Sequence, residues 1–262
     1  MNEIEKLQEQ LKQTQLAYQM AAQMSEFKAN FLARTSHELR SPLSSLIGLH
    51  QIILSDLCES PEEQKEFITQ AYNSAMKLMA LIDEIVGVSK AEYGTNQLRI
   101  ESLQLADILT QAYNLTHLQA ANRNLRIEAI PPDSSIYVRA DRPRLIQSLT
   151  NLIDSGVAMM PSGKIKLTVS NSSLDTQEVI ITIDFDCSIQ DWQAETKTPH
   201  LTVGKNLEEI RELAQHINLS PKMRFMLSQT LLETMGGSLK MQDSSCKEDT
   251  PKTTITLICK RA

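Results

Sequence analysis

An apolar seam at helical spacing constrains this chain most: Leu32, Leu39, Leu43, Leu46, Ile53 and Leu57 follow one another at three, four or seven residues. At roughly 100° per residue these positions share one face of a helix. The seam runs through Ser36-His37-Glu38-Leu39-Arg40-Ser41-Pro42-Leu43. His37 then lies about 130° from the seam's centre, which points it to solvent. Ser41 sits one turn further along the same outward face. Pro42 has no N–H, so the carbonyl of Glu38 loses its helical partner and a bend is expected beside the histidine. An outward imidazole, an adjacent carboxylate and a local bend make a reactive centre. The bland alternative is a solvated surface histidine.

Residues 2–30 contain no Gly or Pro and are rich in Glu, Gln, Lys and Ala. Ile4, Leu7, Leu11, Tyr18 and Ala21 stand near heptad spacing, with Thr14 interrupting. Residues 1–24 therefore read as a coiled-coil lead-in, or else as a plain solvated helix. At ~1.5 Å per residue such a segment carries an upstream twist or shift over about 40 Å. A second helix opens at Ser60-Pro61-Glu62-Glu63, where Ser60 caps, Pro61 takes the first turn and the acids suit the positive dipole end. Its seam is Ile68, Ala71, Ala75, Leu78, Ile82 and Ile85, and it stops near Tyr93-Gly94. Two amphipathic helices bury little alone, so residues 25–93 are expected to pair with a second copy as a four-helix bundle. The rival is an intramolecular hairpin packed on the C-terminal domain.

After a polar linker at 94–103 the pattern turns mixed. Leu105–Ala121, Arg142–Met160 and a segment from Ser220-Pro221 to Gly236-Gly237 read as helices. Leu125–Ala129, Ile136–Val138, Lys164–Val169, Val179–Phe185, Ser238–Met241 and Thr253–Cys259 read as strands. The fold class is α+β, with residues 104–262 forming an α/β sandwich whose helices cover one face of a mixed sheet.

Composition removes several functions. A net charge of −6 with no basic patch, and 4% aromatic residues, disfavour nucleic acid as a partner. No apolar run approaches 18 residues and the N-terminus is polar, so no membrane span is expected and the chain reads as cytoplasmic. Cys58, Cys187, Cys246 and Cys259 form no metal-ligand spacing and read as thiols of a reducing compartment. His50, His117, His200 and His216 share no ligand spacing either.

Phe31 to Leu43, FLARTSHELRSPL, resembles the H-box of sensor histidine kinases of two-component systems. The resemblance implies that His37 accepts a phosphoryl group for transfer to a response-regulator aspartate. Glu38 would be the general base and Ser41 part of the same face. Asp141-Arg142-Pro143-Arg144-Leu145, Leu149-Thr150-Asn151-Leu152-Ile153 and Leu231-Leu232-Glu233-Thr234-Met235-Gly236-Gly237 resemble the ATP-binding domain of that family, which has the Bergerat fold. Together the resemblance spans about residues 25–260.

Three nucleotide motifs are implied, and each departs from the family. For Asn-Leu-Leu-x-Asn-Ala the chain has Asn151-Leu152-Ile153-Asp154-Ser155-Gly156. Asn151 remains, and Ser155 stands where an asparagine helps hold magnesium. For Asp-x-Gly-x-Gly it has Asp184-Phe185-Asp186-Cys187-Ser188. Asp184 would hold the adenine amine, both glycines are gone, and Asp186 adds a repulsive charge. For Gly-x-Gly-x-Gly-Leu it has Ser220-Pro221-Lys222-Met223-Arg224-Phe225. The glycine cradle is absent and Pro221 removes a donor, while Lys222 and Arg224 could offer charge in its place. The lid region, about 190–219, carries Asn206–Ala214, an amphipathic helical pattern without a Gly-rich hinge.

The expectation is a degenerate ATP domain, with ATP and magnesium as cofactors only if that site still works. The expected partners are a receiver domain, a second copy of the chain and an active partner kinase that could donate phosphate. Where ATP binds, the imidazole would attack its γ-phosphorus while Glu38 takes the ring proton. The alternative function is a non-catalytic scaffold that docks or regulates a receiver or a kinase.

Overall fold

A computed structural model of the 262-residue chain describes residues 3–92, 98–171, 177–193, 219–245 and 251–262. The helical pattern expected at 206–214 lies outside the described residues.

Helix α1 runs Glu3–Leu54 and continues through Pro42; α2 runs Pro61–Glu92. Between them Asp56 takes a left-handed φ of 52°, a conformation Asp tolerates better than most side chains. Glu63 N–H donates to Ser60 Oγ, and Glu63 Oε2 accepts from Glu59 N–H. This reciprocal box fixes the start of α2.

The two helices form an antiparallel hairpin whose packed line keeps Ala71 and Ile85 of the expected seam and otherwise departs from it. The face of α1 turned inward is Phe31, Glu38, Pro42, Ser45, Gly48, Leu49 and Ile52, and that of α2 is Phe67, Ala71, Ser74, Leu81 and Ile85. Leu32, Leu43, Leu57, Ile68 and Ile82 are exposed. Small residues account for the difference. Ser45, Gly48 and Ser74 carry little hydrophobic signal, yet they let two helices approach closely, so the packed line rotates toward them. Leu49, Ile52, Phe67 and Ala71 close the loop end of the hairpin as their own cluster. Each large side chain buried there contributes roughly 1.5–3 kcal/mol.

The C-terminal unit is a two-layer sandwich. Strands β2 (Leu125–Ala129), β4 (Gly163–Asn171), β5 (Glu178–Phe185), β6 (Ser238–Asp243) and β7 (Thr253–Lys260) make a five-stranded sheet in the order β2-β4-β5-β7-β6. Only β2 and β4 run parallel among its neighbouring pairs. Strand β1 (Ile100–Gln104) pairs with β3 (Tyr137–Asp141). Residues 100–103, read above as linker, are therefore strand: their alternation is too short to show without the partner. Helices α3 (Leu105–Asn122), α4 (Arg142–Met159), the short α5 (Ile189–Gln193) and α6 (Pro221–Thr234) complete the unit.

Strand β5 alternates strictly, with Val179, Ile181, Ile183 and Phe185 buried toward the helices. The Phe185 ring lies edge-on to Trp192, with ring centroids 5.0 Å apart, and a methyl group added at Gly156 of α4 would overlap it. Glycine is required at 156 because an aromatic ring approaches the helix backbone there. Phe185→Ala should destabilise the fold by about 3–5 kcal/mol, read as a lower urea midpoint with unchanged slope. An unaltered midpoint would show that the ring is not a core element.

Candidate functional site

His37 is half-buried on α1. The Ser41 backbone continues the same helix, and its side chain lies outside the described residues. Glu38 faces inward and retains only 9% exposure. Its Oε2 accepts the main-chain N–H of Ser220 at 3.0 Å, across 182 residues of sequence. Ser220 is the N-cap of α6, with φ −60° and ψ 150°, and its Oγ accepts from Met223 N–H. The carboxylate thus sits at the positive end of a helix, where main-chain donors and the dipole both favour an anion.

Around this contact lies an apolar cluster. Phe31 of α1 and Leu81 and Ile85 of α2 pack with Leu219, Met223, Leu227 and Leu231 at and along α6. Helix α6 also meets α4, where Ser228 Oγ donates to Ser148 O at 3.3 Å and Arg224 pairs with Asp154 at 3.6 Å. One helix therefore touches the hairpin on one side and the sandwich on the other. Sequence reasoning found the Ser220-Pro221 cap and the Glu38 acid separately. Nothing local in the sequence connects positions so far apart.

The residues assigned by resemblance to nucleotide are dispersed. Asn151 and Ser155 lie one turn apart on the buried face of α4. Ser155 Oγ donates to Asn151 O at 2.7 Å, so its proton is committed to its own helix. Asp184 points to the sheet face that the described helices do not cover. There it accepts from Thr254 Oγ1 at 2.6 Å and pairs with Lys252 at 3.3 Å. The strand position facing α4 belongs to Phe185. The period of two along the strand sets Asp184 and Phe185 on opposite faces of the sheet.

Asp186, where a glycine would stand, accepts from Lys164 N–H at 3.0 Å and ties its turn to β4. Cys187 O accepts from the buried Thr253 hydroxyl at 2.8 Å. Of the two cations at the start of α6, Arg224 faces Asp154. Lys222 lines a cavity of about 530 Å³ between α5, α6 and β6, with Trp192, Phe225 and Met241. Among the described residues no cluster of three His, Cys, Asp or Glu side chains could hold a metal ion, and no helix is long and apolar enough to cross a membrane.

Comparison with known proteins places this geometry in a family. Residues 27–94 match the His Kinase A (phospho-acceptor) domain. Histidine kinase 1 of Arabidopsis thaliana is 34% identical over 152 residues, 58% of this chain and 12% of its own length. The chain resembles the catalytic core of a sensor histidine kinase. The signal transduction histidine-protein kinase BarA of Escherichia coli strain K12 is 29% identical over 186 residues, 69% of this chain and 20% of BarA. The chain thus spans between about an eighth and a fifth of the length of these two relatives. Its fold is shared with histidine kinase ThkA, whose structure is in complex with response regulator protein TrrA. That match has a TM-score of 0.56 and 19% identity, and covers 100% of this chain and 68% of ThkA. The helical N-terminal region followed by an α/β sandwich is the arrangement of histidine kinases.

Proposed function

We propose that His37 accepts a phosphoryl group and exchanges it with a receiver-domain aspartate, and that the donor is a phosphorylated receiver or a partner kinase rather than ATP held by this chain. The observation that carries the reading is a contrast. The histidine lies half-open on α1 within the matched phospho-acceptor domain, while the nucleotide residues point to different faces of the sandwich. In the exchange an imidazole nitrogen, which must be neutral, attacks the phosphorus of an aspartyl phosphate. A P–N bond forms as the acyl P–O bond breaks, and the aspartate leaves as a carboxylate. The receiver follows from ThkA, a protein of the same fold found with a response regulator. Buried free thiols at Cys187 and Cys259 suit the cytoplasmic side, where thiols stay reduced. The dispersal of the nucleotide residues also favours a second reading, a scaffold that docks a receiver or an active kinase without chemistry at His37.

A second copy of the chain is the proposed cover for the hairpin's open face. Leu43, Ile47, Leu54, Ile68, Tyr72, Met76, Met79 and Ile82 are exposed on it, and a cavity of about 460 Å³ lies between its helices beside Leu46, Ile53 and Tyr72. A stripe of this size on a surface is an association site. It continues into Leu11 and Tyr18 of the lead-in, also exposed, which fits a parallel coiled coil.

Incubation with a phosphorylated receiver or an active partner kinase should label the wild type with an acid-labile, base-stable phosphate. His37→Gln should abolish that label. If no donor labels the wild type while it binds a receiver as tightly as His37→Gln does, the scaffold reading holds instead. Calorimetry with magnesium-ATP should show binding weaker than millimolar; micromolar, magnesium-dependent binding would restore ordinary autophosphorylation. Ile82→Asp buries an unpaired charge in the paired bundle at a cost of several kcal/mol, so light scattering should find it monomeric or aggregated. A wild type that stays monomeric at high concentration would exclude the bundle.

A further inference from the structure

We infer that the free edge of β2 pairs with the same edge of a second copy, joining two five-stranded sheets into one continuous sheet. This surface is separate from the hairpin, and it does not depend on the chemistry at His37. Strand β2 ends the sheet: β4 lies on one side of it, and no described strand lies on the other. Ile130 N–H donates inward to Leu167 O at 3.1 Å. A strand bonds a parallel neighbour through alternate residues. Arg126, Glu128 and Ile130 therefore bond β4, while Leu125, Ile127 and Ala129 turn their N–H and C=O groups outward. Such a row of unpaired main-chain groups is a template for another strand.

The sequence of this edge is complementary to itself. In an antiparallel pair centred on Ile127, Ile127 meets its own copy and Leu125 meets Ala129 of the second copy. These are the positions with outward main-chain groups, so each pair exchanges two N–H···O bonds. Arg126 then stands opposite Glu128 of the second copy, and Glu128 opposite Arg126. Both pairs fall at non-hydrogen-bonded positions, where facing side chains come closest and opposite charges are stabilising. An edge guarded against pairing carries charge of one sign, lysine above all. This edge carries one of each, in the order that a two-fold axis matches. Within its own chain Glu128 pairs with Lys164 at 3.8 Å, with both side chains exposed, so the carboxylate keeps room for a second cation.

Pro131 and Pro132 stop the strand, which keeps the pairing short. The groove beside it adds contact area. It holds about 660 Å³ between α3 and β2, with Leu109, Tyr113, His117, Leu125 and Ile127 on its walls. The Tyr113 and His117 rings stack with centroids 5.0 Å apart, which gives the α3 wall a flat surface. The axis through Ile127 sets the grooves of the two copies side by side. Where the hairpins pair as well, each copy has two self-matching surfaces, and dimers are joined into tetramers or longer chains.

The test uses the full chain, with mass read by analytical ultracentrifugation from micromolar to near-millimolar concentration. Arg126→Glu leaves the edge with acids alone, and Glu128→Arg leaves it with cations alone. Each should weaken association by about tenfold or more and lower the average mass about twofold, whether or not the hairpins pair. The double variant R126E/E128R restores opposite charges across the axis and should return the wild-type mass. An equimolar mixture of the two single variants should associate as well, an acidic edge against a basic one. Unchanged mass in both single variants overturns the inference. A loss that neither the double variant nor the mixture restores also overturns it. Amide hydrogen exchange locates the contact: the N–H groups of Ile127 and Ala129 should exchange about tenfold or more slower at the high concentration than at the low one. Those of Glu128 and Ile130, bonded to β4 in either state, should not change. Equal exchange of Ile127 and Ala129 at both concentrations would leave the edge to a strand of some other protein and overturn pairing between copies.

Discussion

The architecture depends on how helix α6 is held at its two sides. Leu227 and Leu231 face the hairpin, Arg224 and Ser228 face α4, and Phe225 packs against the sheet core. Without α6 the hairpin would keep only its loop-end cluster of Leu49, Ile52, Phe67 and Ala71 and the small-residue contact along Ser45 and Ser74. With it, the end of the hairpin near His37 gains an apolar floor, and Glu38 gains a donor. Burying a carboxylate is costly unless it is hydrogen-bonded, and the Ser220 N–H at the head of a dipole supplies that compensation. The same contact decides where the sandwich sits relative to the histidine.

The C-terminal domain has the fold of the histidine kinase structures, and its interior polar groups are engaged within it. The Phe185 ring rests on Gly156, the Ser155 hydroxyl is bonded within α4, and Asp184 is engaged with Thr254 and Lys252 across the sheet. Each group is locally satisfied: a ring meets a glycine, a hydroxyl meets a carbonyl, an acid meets a cation. They stabilise the sandwich as a solid body. Such a body can still press on the hairpin, and its contact lies at the residue beside the histidine.

Much of this was legible in the sequence. The helix and strand spacings placed α2, α3, α4 and β2 within a residue or two, because long periodic segments and Pro or Ser caps are local signals. The Asn151 helix and the Gly236-Gly237 stop were read from such signals too. Three things were not legible, each for a physical reason. The hairpin face turned toward Ser45, Gly48 and Ser74 because close approach depends on small size, which hydropathy does not register. The sheet face that Asp184 takes follows from the pleat, which identity in a motif does not register. The Glu38 to Ser220 bond joins two elements 182 residues apart, and its partner is a main-chain group that carries no residue signature.

The central claim is that α6 couples the hairpin to the sandwich energetically as well as in contact. A double-mutant cycle with Leu81→Ala on the hairpin and Leu227→Ala on α6, followed by denaturant unfolding, tests it most directly. Both side chains belong to one buried cluster, so the account expects a coupling energy of about 0.5–3 kcal/mol. Two losses that simply add, with coupling below about 0.3 kcal/mol, would mean that the two units fold and act independently, and would contradict it.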